Sequence, residues 1–389
     1  MGEGRIETRL AQLGLTRDEP TGSISSPIYL ATVYRHPALG ESTGYDYART
    51  GNPTRHVLEE EIARLEGGVR GFAFSSGMAA IQAALSLFSP GDHLLVSMDL
   101  YGGTYRLLEH VLGKYGISAS YVDTTSLERL EEARRPKTRG LLIETPTNPQ
   151  MLVTDLRAVC SWAREHDIWT IVDNTLMTPY YQRPLALGAD VVVHSATKYL
   201  GGHNDVLAGL VVVRDEGLAE PLAFYQNTVG AVLSPFDAWL LLRGMKTLAL
   251  RLARQSENAQ RLADYLAAHP LVSAVYYTGL PNHPGRDVHL RQADGHGGLL
   301  SFRVVDARLV APVLRSIQVI SFAESLGGVE TLMTFPAAQT HADVPEEMRN
   351  RIGVDDTLLR IAVGIEHADD LLADLEQALA AAAEEVGLT

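Results

Sequence analysis

Three segments of the sequence carry polar and charged side chains directly after apolar runs of the kind that form buried strands. These are Asp173-Asn174 after residues 168–172, His194-Ser195-Ala196-Thr197-Lys198 after residues 189–193, and Ser75-Ser76-Gly77-Met78 after residues 72–74. In an open α/β sheet, ligand groups gather at the carboxyl ends of the strands, where the amino termini of helices also point. We therefore expect these three segments to meet in one site.

One part of the expected site suits a phosphate group. The segment Ser76-Gly77-Met78 opens a predicted helix, so free backbone N–H groups and the helix dipole can hold an anion there. The hydroxyl groups of Ser195 and Thr197 can donate to the same anion.

The other residues suit an aromatic cofactor that reacts with amines. Lys198 is a candidate Schiff-base lysine, and Asp173 is a carboxylate that can pair with a protonated pyridine nitrogen. Tyr101, which precedes two glycines, can lie flat against a cofactor ring. Together with the phosphate site, these roles are the ones that pyridoxal 5′-phosphate (PLP) requires.

Each of these residues taken alone also has a simpler structural explanation. A lysine after a strand is usually solvated, and an aspartate at a strand end often caps a helix. A Ser-Gly pair before a helix is ordinarily a cap. The occurrence of all of them in this order is what favours a PLP site.

Helical and strand patterns alternate from about residue 54 onward. Apolar spacing predicts helices over residues 54–65 and 78–88. Short apolar runs predict strands at 72–74, 93–96, 119–122, 140–143, 169–172, 191–193 and 209–213. Such alternation indicates an α/β fold with a mostly parallel sheet and helices on both faces.

The two ends of the chain differ from this central region. Residues 20–52 are rich in Pro, Gly, Ser, Thr and Tyr, which favours an extended arm that packs on something else. A helical stretch over 234–268 leads to predicted strands at 272–277, 298–304 and 358–363 and a terminal helix over 368–385. We therefore expect three parts: an arm (1–60), a cofactor-binding α/β domain (61–255) and a smaller α+β domain (256–389).

Composition narrows the classes of function. The 389 residues are 46% hydrophobic and 21% charged, with a net charge of -14 and a single cysteine, Cys160. These values are typical of a globular protein in a reducing cytoplasm and argue against nucleic-acid or membrane partners. The thirteen histidines form no zinc-protease pattern, so we expect no metal site. We expect His203 and His341 to make structural hydrogen bonds.

The chain resembles the Cys/Met metabolism family of PLP-dependent enzymes. The matching segments are YDYARTGNPTR (45–55), FSSGMAA (74–80), DLYGGTYR (99–106), ETPTNP (144–149), VDNT (172–175), HSATKYLGGH (194–203), AESLGGVE (323–330) and LLRIAVGIE (358–366). They span nearly the whole chain in the family's order. The resemblance implies a fold-type I PLP-dependent transferase, assembled as a homotetramer of two dimers with shared active sites.

The resemblance also implies a role for each matching residue. Lys198 would hold PLP and shuttle protons, Asp173 would pair with the pyridine nitrogen, and Tyr101 would stack on the ring. The phosphate would be held by Gly77, Met78, Ser195 and Thr197, with Tyr47 and Arg49 reaching it from the neighbouring subunit. Asn148 would lie near the phenolic oxygen, and Arg360 with Ser325 would bind the substrate α-carboxylate.

The same resemblance suggests the reaction. In the family, an acid at the position of Glu324 accompanies γ-synthases and γ-lyases, so we predict a cystathionine γ-synthase that joins an O-acylated homoserine to L-cysteine. Arg106 is the candidate for a distal succinyl carboxylate, and an acetyl ester is the favoured substrate. The alternatives are a cystathionine or homocysteine γ-lyase, and then a β-lyase.

Two functions from other classes fit the sequence less well. A non-catalytic binding protein on a PLP-enzyme scaffold would have no need of Lys198, Asp173, Tyr101 and Arg360 together. A nucleotide-binding oxidoreductase is disfavoured because no complete G-x-G-x-x-G follows a strand,.

Overall fold

A computed structural model describes residues 4–15, 21–340 and 346–388. Its strands are β1 (Arg70–Phe74), β2 (His93–Ser97), β3 (Ser118–Val122), β4 (Thr138–Glu144), β5 (Trp169–Asp173), β6 (Val191–Ser195), β7 (Gly209–Val213), β8 (Val272–Tyr276), β9 (Leu299–Val304), β10 (Ser321–Phe322), β11 (Leu332–Thr334) and β12 (Leu358–Ala362). Its α-helices are α1 (Ile6–Ala11), α2 (Pro53–Glu66), α3 (Gly77–Leu85), α4 (Gly102–Arg106), α5 (Leu127–Ala133), α6 (Leu156–Glu165), α7 (Thr178–Tyr181), α8 (Glu216–Val229), α9 (Pro235–Met245), α10 (Leu248–Ala268), α11 (Arg286–Gln292), α12 (Val310–Ser316), α13 (Glu346–Arg351) and α14 (Ala368–Val386).

The larger sheet contains seven strands in the order β1-β7-β6-β5-β4-β2-β3. Strand β7 pairs antiparallel with both of its neighbours, whereas the other pairs are parallel. The strands are rich in Val, Ile and Leu, and β7 is buried along its whole length. Continuous apolar strands of this kind need cover on both faces.

Alternate residues of these strands pack into two different hydrophobic clusters. Phe72 and Phe74 of β1 belong to one cluster, and Ala73 between them belongs to the other. Helices α3 and α8 supply residues to the first cluster, and α2, α6 and α9 supply residues to the second. The mostly parallel sheet with helices on both faces is therefore confirmed.

The smaller sheet contains five strands in the order β10-β11-β12-β9-β8. Its core is a third cluster, to which α10, α12 and α14 contribute. The expected boundary at residue 255 falls inside α10, whose Leu248 and Leu252 pack in a cluster of the larger sheet and whose Leu262 and Leu266 pack in that of the smaller sheet. The three-part division of the chain stays a prediction.

Some local expectations need correction. The helical stretch predicted over 234–268 is two helices, α9 and α10, which are interrupted at Lys246 and Thr247. Helix α8 was not predicted. Residues 21–52 contain no helix or strand, and an isolated bridge joins Val33 to Tyr47.

Two remaining expectations concern histidines and membranes. Nδ1 of His203 lies 2.8 Å from the carbonyl oxygen of Gly201, as expected of a structural hydrogen bond, whereas His341 lies outside the described residues. Among the helices of the described ranges, none is long and apolar enough to cross a membrane.

Candidate active site

A cavity opens at the carboxyl ends of the parallel strands. It contains about 780 Å³ of space, part of which is open to solvent. Its lining includes Ser76, Gly77, Met78, Tyr101, Glu144, Asn148, Asp173, Thr175, Ser195, Thr197 and Lys198. The three segments predicted to meet in one site do lie together here.

The amino terminus of α3 forms one wall of the cavity. Ser76 caps the helix, since its side chain accepts a hydrogen bond of 3.1 Å from the backbone N–H of Ala79,. Next to it, a Cβ at Gly77 would lie 2.8 Å from both Cβ and Oγ of Ser195. Only glycine fits at this position without displacing Ser195, so the helix end and the Ser195 hydroxyl stay close together.

The segment after β6 is tied to its neighbours through hydroxyl groups. Oγ1 of Thr175 accepts a hydrogen bond of 2.8 Å from the backbone N–H of Ser195. Oγ1 of Thr197 accepts one of 3.0 Å from the N–H of Ala208 and donates one of 3.2 Å to its carbonyl oxygen. The strand ends that carry Asp173 and Lys198 are thereby held in register with each other.

Lys198 lies in the turn that follows β6. Its Nζ donates a hydrogen bond of 2.7 Å to Oγ of Ser325. Burial, and to a smaller extent the positive charge of Arg360, lowers the pKa of Lys198 to about 8, against an opposing effect of Glu324. An amine with this pKa is partly neutral near pH 7 and can act as a nucleophile or a base.

Two carboxylates end adjacent strands beneath the cavity. Glu144 is the last residue of β4 and Asp173 the last of β5, and the two are paired in the sheet register. Burial raises the pKa of Asp173, and Thr175 opposes this effect by donating to its Oδ1 from 3.0 Å. Burial and the nearby Asp173 and Asp99 raise the pKa of Glu144 strongly.

Glu144 also contacts the two loops that carry Tyr101 and Asn148. Its Oε2 accepts a hydrogen bond of 3.2 Å from the backbone N–H of Tyr101, and its Oε1 accepts one of 3.0 Å from that of Asn148. The ring of Tyr101 packs over Gly103, where a Cβ would lie 2.4 Å from Cε1 of the ring. Tyr101 is 41% exposed, which leaves ring surface available to a planar ligand.

Arg360 reaches the same region from the smaller sheet. Its guanidinium is buried and donates to Oδ1 of Asn148 at 3.1 Å, to the carbonyl oxygen of Ser325 at 2.8 Å and to Oγ1 of Thr334 at 2.9 Å. Among the described residues its Nε has no hydrogen-bond partner. Burial lowers the pKa of Arg360 to about 10, so the group stays cationic at neutral pH.

Six predicted residues are not part of the lining of this cavity. Two of them, Arg360 and Ser325, make the contacts described above, and the other four are Glu324, Arg106, Tyr47 and Arg49. Glu324 is exposed and lines an adjoining depression together with Thr197 and Ser325. Arg106 is exposed in the last turn of α4. Tyr47 and Arg49 are exposed in the N-terminal segment, where the Arg49 guanidinium lies 5.7 Å from the centre of the Tyr47 ring and donates to Oδ1 of Asn227 at 3.2 Å.

Three residues of the site were not assigned from sequence. They are Glu144, Thr175 and Thr334, whose contacts are given above. Glu144 could have been assigned from the sequence, since it too is a polar residue at the end of an apolar strand. Thr334 could not, because its position next to Arg360 depends on the pairing of β11 with β12.

Comparisons with known proteins agree on the family of this chain. Residues 7–380 match the family described as Cys/Met metabolism PLP-dependent enzyme. The chain is 54% identical over 374 residues to a cystathionine gamma-synthase/O-acetylhomoserine (thiol)-lyase of Bacillus subtilis (strain 168), covering 96% of each. It is 50% identical over 374 residues to a cystathionine beta-lyase of Lactococcus lactis subsp. cremoris (strain MG1363), covering 96% of this chain and 98% of that protein.

A solved structure also matches along the chain. The crystal structure of a cystathionine gamma-lyase from Lactobacillus plantarum, complexed with L-serine, superposes with a TM-score of 0.95 at 45% identity. The match covers 97% of this chain and 99% of that one. These three relatives differ in the reaction that each is named for.

Proposed function

Since the chain belongs to the Cys/Met metabolism PLP-dependent enzyme family, we propose that this PLP-dependent carbon–sulfur enzyme is a cystathionine γ-synthase. It would replace the acyloxy group of an O-acylated homoserine with the sulfur of L-cysteine. The observation that carries this choice is the acid Glu324, which lies next to Ser325 and acts electrostatically on both Lys198 and Arg360.

The cavity suits pyridoxal phosphate in shape and in donor chemistry. The Gly77 position has no room for a Cβ, so backbone N–H groups of α3 can approach a phosphate closely,. Asp173 would face the pyridine nitrogen, Tyr101 the ring and Asn148 the phenolic oxygen, while Met78, Ser195 and Thr197 would complete the phosphate site. When bound, PLP supplies an electron sink that allows a proton to leave the substrate Cα.

Lys198 is the residue that would hold the cofactor and move protons. Its amine has a pKa of about 8, so it can lose its proton near neutral pH and accept one from carbon in turn. The contact of 2.7 Å with Ser325 fixes where its Nζ lies before substrate enters.

Arg360 would bind the substrate α-carboxylate. A guanidinium presents a planar pair of donors that matches a carboxylate, and its Nε has no partner in the described residues. The contacts with Asn148 and Thr334 keep the group oriented, with Ser325 beside it.

Glu324 would distinguish γ-chemistry from β-elimination. Its negative charge lies at the edge of the site and is available to the ammonium group of an incoming cysteine or of bound cystathionine. The relative of 54% identity is named as a cystathionine gamma-synthase/O-acetylhomoserine (thiol)-lyase, which supports this choice.

We further propose that the acyl group is acetyl. Among the residues described here, Lys198 is the basic side chain in the cavity lining, and a succinyl ester would need a further cation for its distal carboxylate. Arg106 is the candidate for that cation from outside the lining. Turnover of the succinyl ester that is unchanged by R106A would show that Arg106 has no such role.

Tyr47 and Arg49 belong to the arm and would serve a neighbouring subunit. They lie outside the Lys198 cavity of their own chain, in a segment without helices or strands. We propose that they reach the cofactor phosphate of a second copy within a homotetramer built as a dimer of dimers.

A γ-lyase is the second candidate, and it is favoured by the match to the Lactobacillus plantarum structure. It would use the same residues, but water rather than a thiol would be the second reactant. From cystathionine and water, the products would then be cysteine, 2-oxobutanoate and ammonia.

Product analysis of the purified, PLP-loaded enzyme separates these reactions. O-acetylhomoserine is supplied with and without L-cysteine, and cystathionine is supplied alone. Cystathionine and acetate from the first mixture, with little 2-oxobutanoate, would support the γ-synthase. Rapid 2-oxobutanoate and cysteine from cystathionine alone would make it a γ-lyase, and pyruvate with homocysteine would make it a β-lyase.

A pair of variants tests the part played by Glu324. E324Q removes the charge beside Ser325, whereas E330Q removes one from the same loop, where Glu330 contacts Asn204 instead. We expect E324Q to raise the KM for cysteine by roughly tenfold, the effect of one lost charge-assisted contact, and E330Q to leave it within twofold. If both changes raised the KM for cysteine equally, Glu324 would not support γ-chemistry.

A further inference from the structure

One carboxylate joins the two loops that face the proposed cofactor ring. Glu144 ends β4, and its two oxygens are used by different loops: Oε2 by the N–H of Tyr101, and Oε1 by the N–H of Asn148. Tyr101 lies between β2 and α4, and Asn148 between β4 and α6. These loops are distant in sequence, and this side chain connects them directly.

From this geometry we propose that Glu144 is a positioning residue for the cofactor site, setting the separation of Tyr101 and Asn148. Its own backbone is anchored, since its N–H donates to Oγ of Ser97 at 3.2 Å and its strand pairs with β5 at Asp173. The carboxylate therefore projects from a rigid strand end. This role rests on the proposed site but not on the choice between synthase and lyase.

The chemistry explains why a carboxylate is required. Both partners are N–H donors on different loops, so the side chain must offer an acceptor oxygen to each of them. A carboxyl group has two oxygens for this purpose, whereas a primary amide has one. In E144Q, one N–H group would face the amide NH₂. Either the Tyr101 loop or the Asn148 loop must then shift, and Asn148 also carries the hydrogen bond to Arg360.

Asp99 provides a matched control in the same pair of loops. It is a buried carboxylate whose Oδ2 accepts from the Thr147 hydroxyl and from the N–H of Gln150 at 3.2 Å. It links the same two loops as Glu144, but through residues that do not line the cavity. D99N thus removes a buried carboxyl group from the same pair of loops, while an amide oxygen can still accept both of its hydrogen bonds and the contacts of Tyr101 and Asn148 with Glu144 stay in place.

The test measures the cofactor as well as activity. For wild type, E144Q and D99N, we would determine the Kd of PLP for the apo-protein, the visible circular dichroism of the bound cofactor, kcat, KM and the thermal midpoint. We expect E144Q to raise the PLP Kd roughly ten- to hundredfold, the effect of leaving one N–H group without its acceptor. Its cofactor dichroism should fall and kcat should drop, whereas D99N should change mainly the thermal midpoint.

Several results would overturn this role. One is an E144Q enzyme whose PLP Kd, dichroism and kcat stay within twofold of wild type; another is an equal effect of D99N on all three. If E144Q does not fold, E144D tests the same role, because it keeps the carboxyl group but is too short to reach both loops. A wild-type chain that binds no PLP would overturn the proposed site and this role together.

Discussion

Lys198 and Ser325 contact each other across 127 residues of chain, with Nζ of the lysine 2.7 Å from Oγ of the serine. Lys198 follows β6 of the larger sheet, whereas Ser325 lies between β10 and β11 of the smaller one. Ser325 has a φ of 100°, a region that is costly for a residue other than glycine. The Lys198 amine is thus held by a loop that connects two strands of the smaller sheet.

The lowered pKa of Lys198 predicts how the apo-protein takes up PLP. Attack by the amine requires its neutral form, and burial has lowered its pKa to about 8. The rate of uptake should therefore rise with pH below about 8 and level off above it, when followed by visible absorbance after rapid mixing. A simple alkylamine serves as control and should continue to rise towards pH 10. A protein rate that also climbs to pH 10 would contradict the buried, lowered pKa.

Replacement of Arg360 by lysine should weaken substrate binding more than it slows turnover. Lysine keeps the charge but lacks the planar pair of donors, so we expect the KM for the amino-acid substrate to rise by roughly 10–100-fold. Steady-state kinetics measure this directly. R303K is the control, since Arg303 also lies in a strand of the smaller sheet but contacts Tyr276. A KM that changes equally in both variants would exclude a carboxylate-binding role.

The Gly77 position should tolerate no side chain. A Cβ there would lie 2.8 Å from Ser195, so G77A must push the helix end or the serine away from the phosphate site. We expect the PLP Kd to rise by about tenfold or more, measured by cofactor absorbance after dialysis. In G113A the nearest contact of the new Cβ would be 3.4 Å, and PLP affinity should be unchanged. Unaltered PLP binding in G77A would mean that the phosphate lies elsewhere.

A shared active site predicts complementation between inactive variants. If Arg49 serves the neighbouring subunit, K198A and R49A chains that are unfolded and refolded together should form hybrid dimers with one intact site. Random pairing would restore about a quarter of wild-type activity, because half of the dimers are hybrids with one site each. Each variant refolded alone is the control. If the mixture is no more active than the average of the two, Arg49 acts within its own chain.

The sequence by itself determined the local parts of this site. Apolar strands that end in Asp173 and in the segment with Ser195, Thr197 and Lys198 were recognisable, because a buried strand and the polar residues at its end are adjacent in the chain. The order of the motifs also determined the family. The mostly parallel sheet followed from the alternation of helices with short apolar runs.

Tertiary structure alone decided how distant parts meet. The two hydrogen bonds of Glu144 and the contacts of Arg360 with Asn148 and Thr334 join residues that no spacing relates. Such contacts depend on the order of strands in each sheet and on where each loop leaves its strand. Local propensity and periodicity describe short windows of chain, whereas these positions follow from the burial of surfaces contributed by the whole fold.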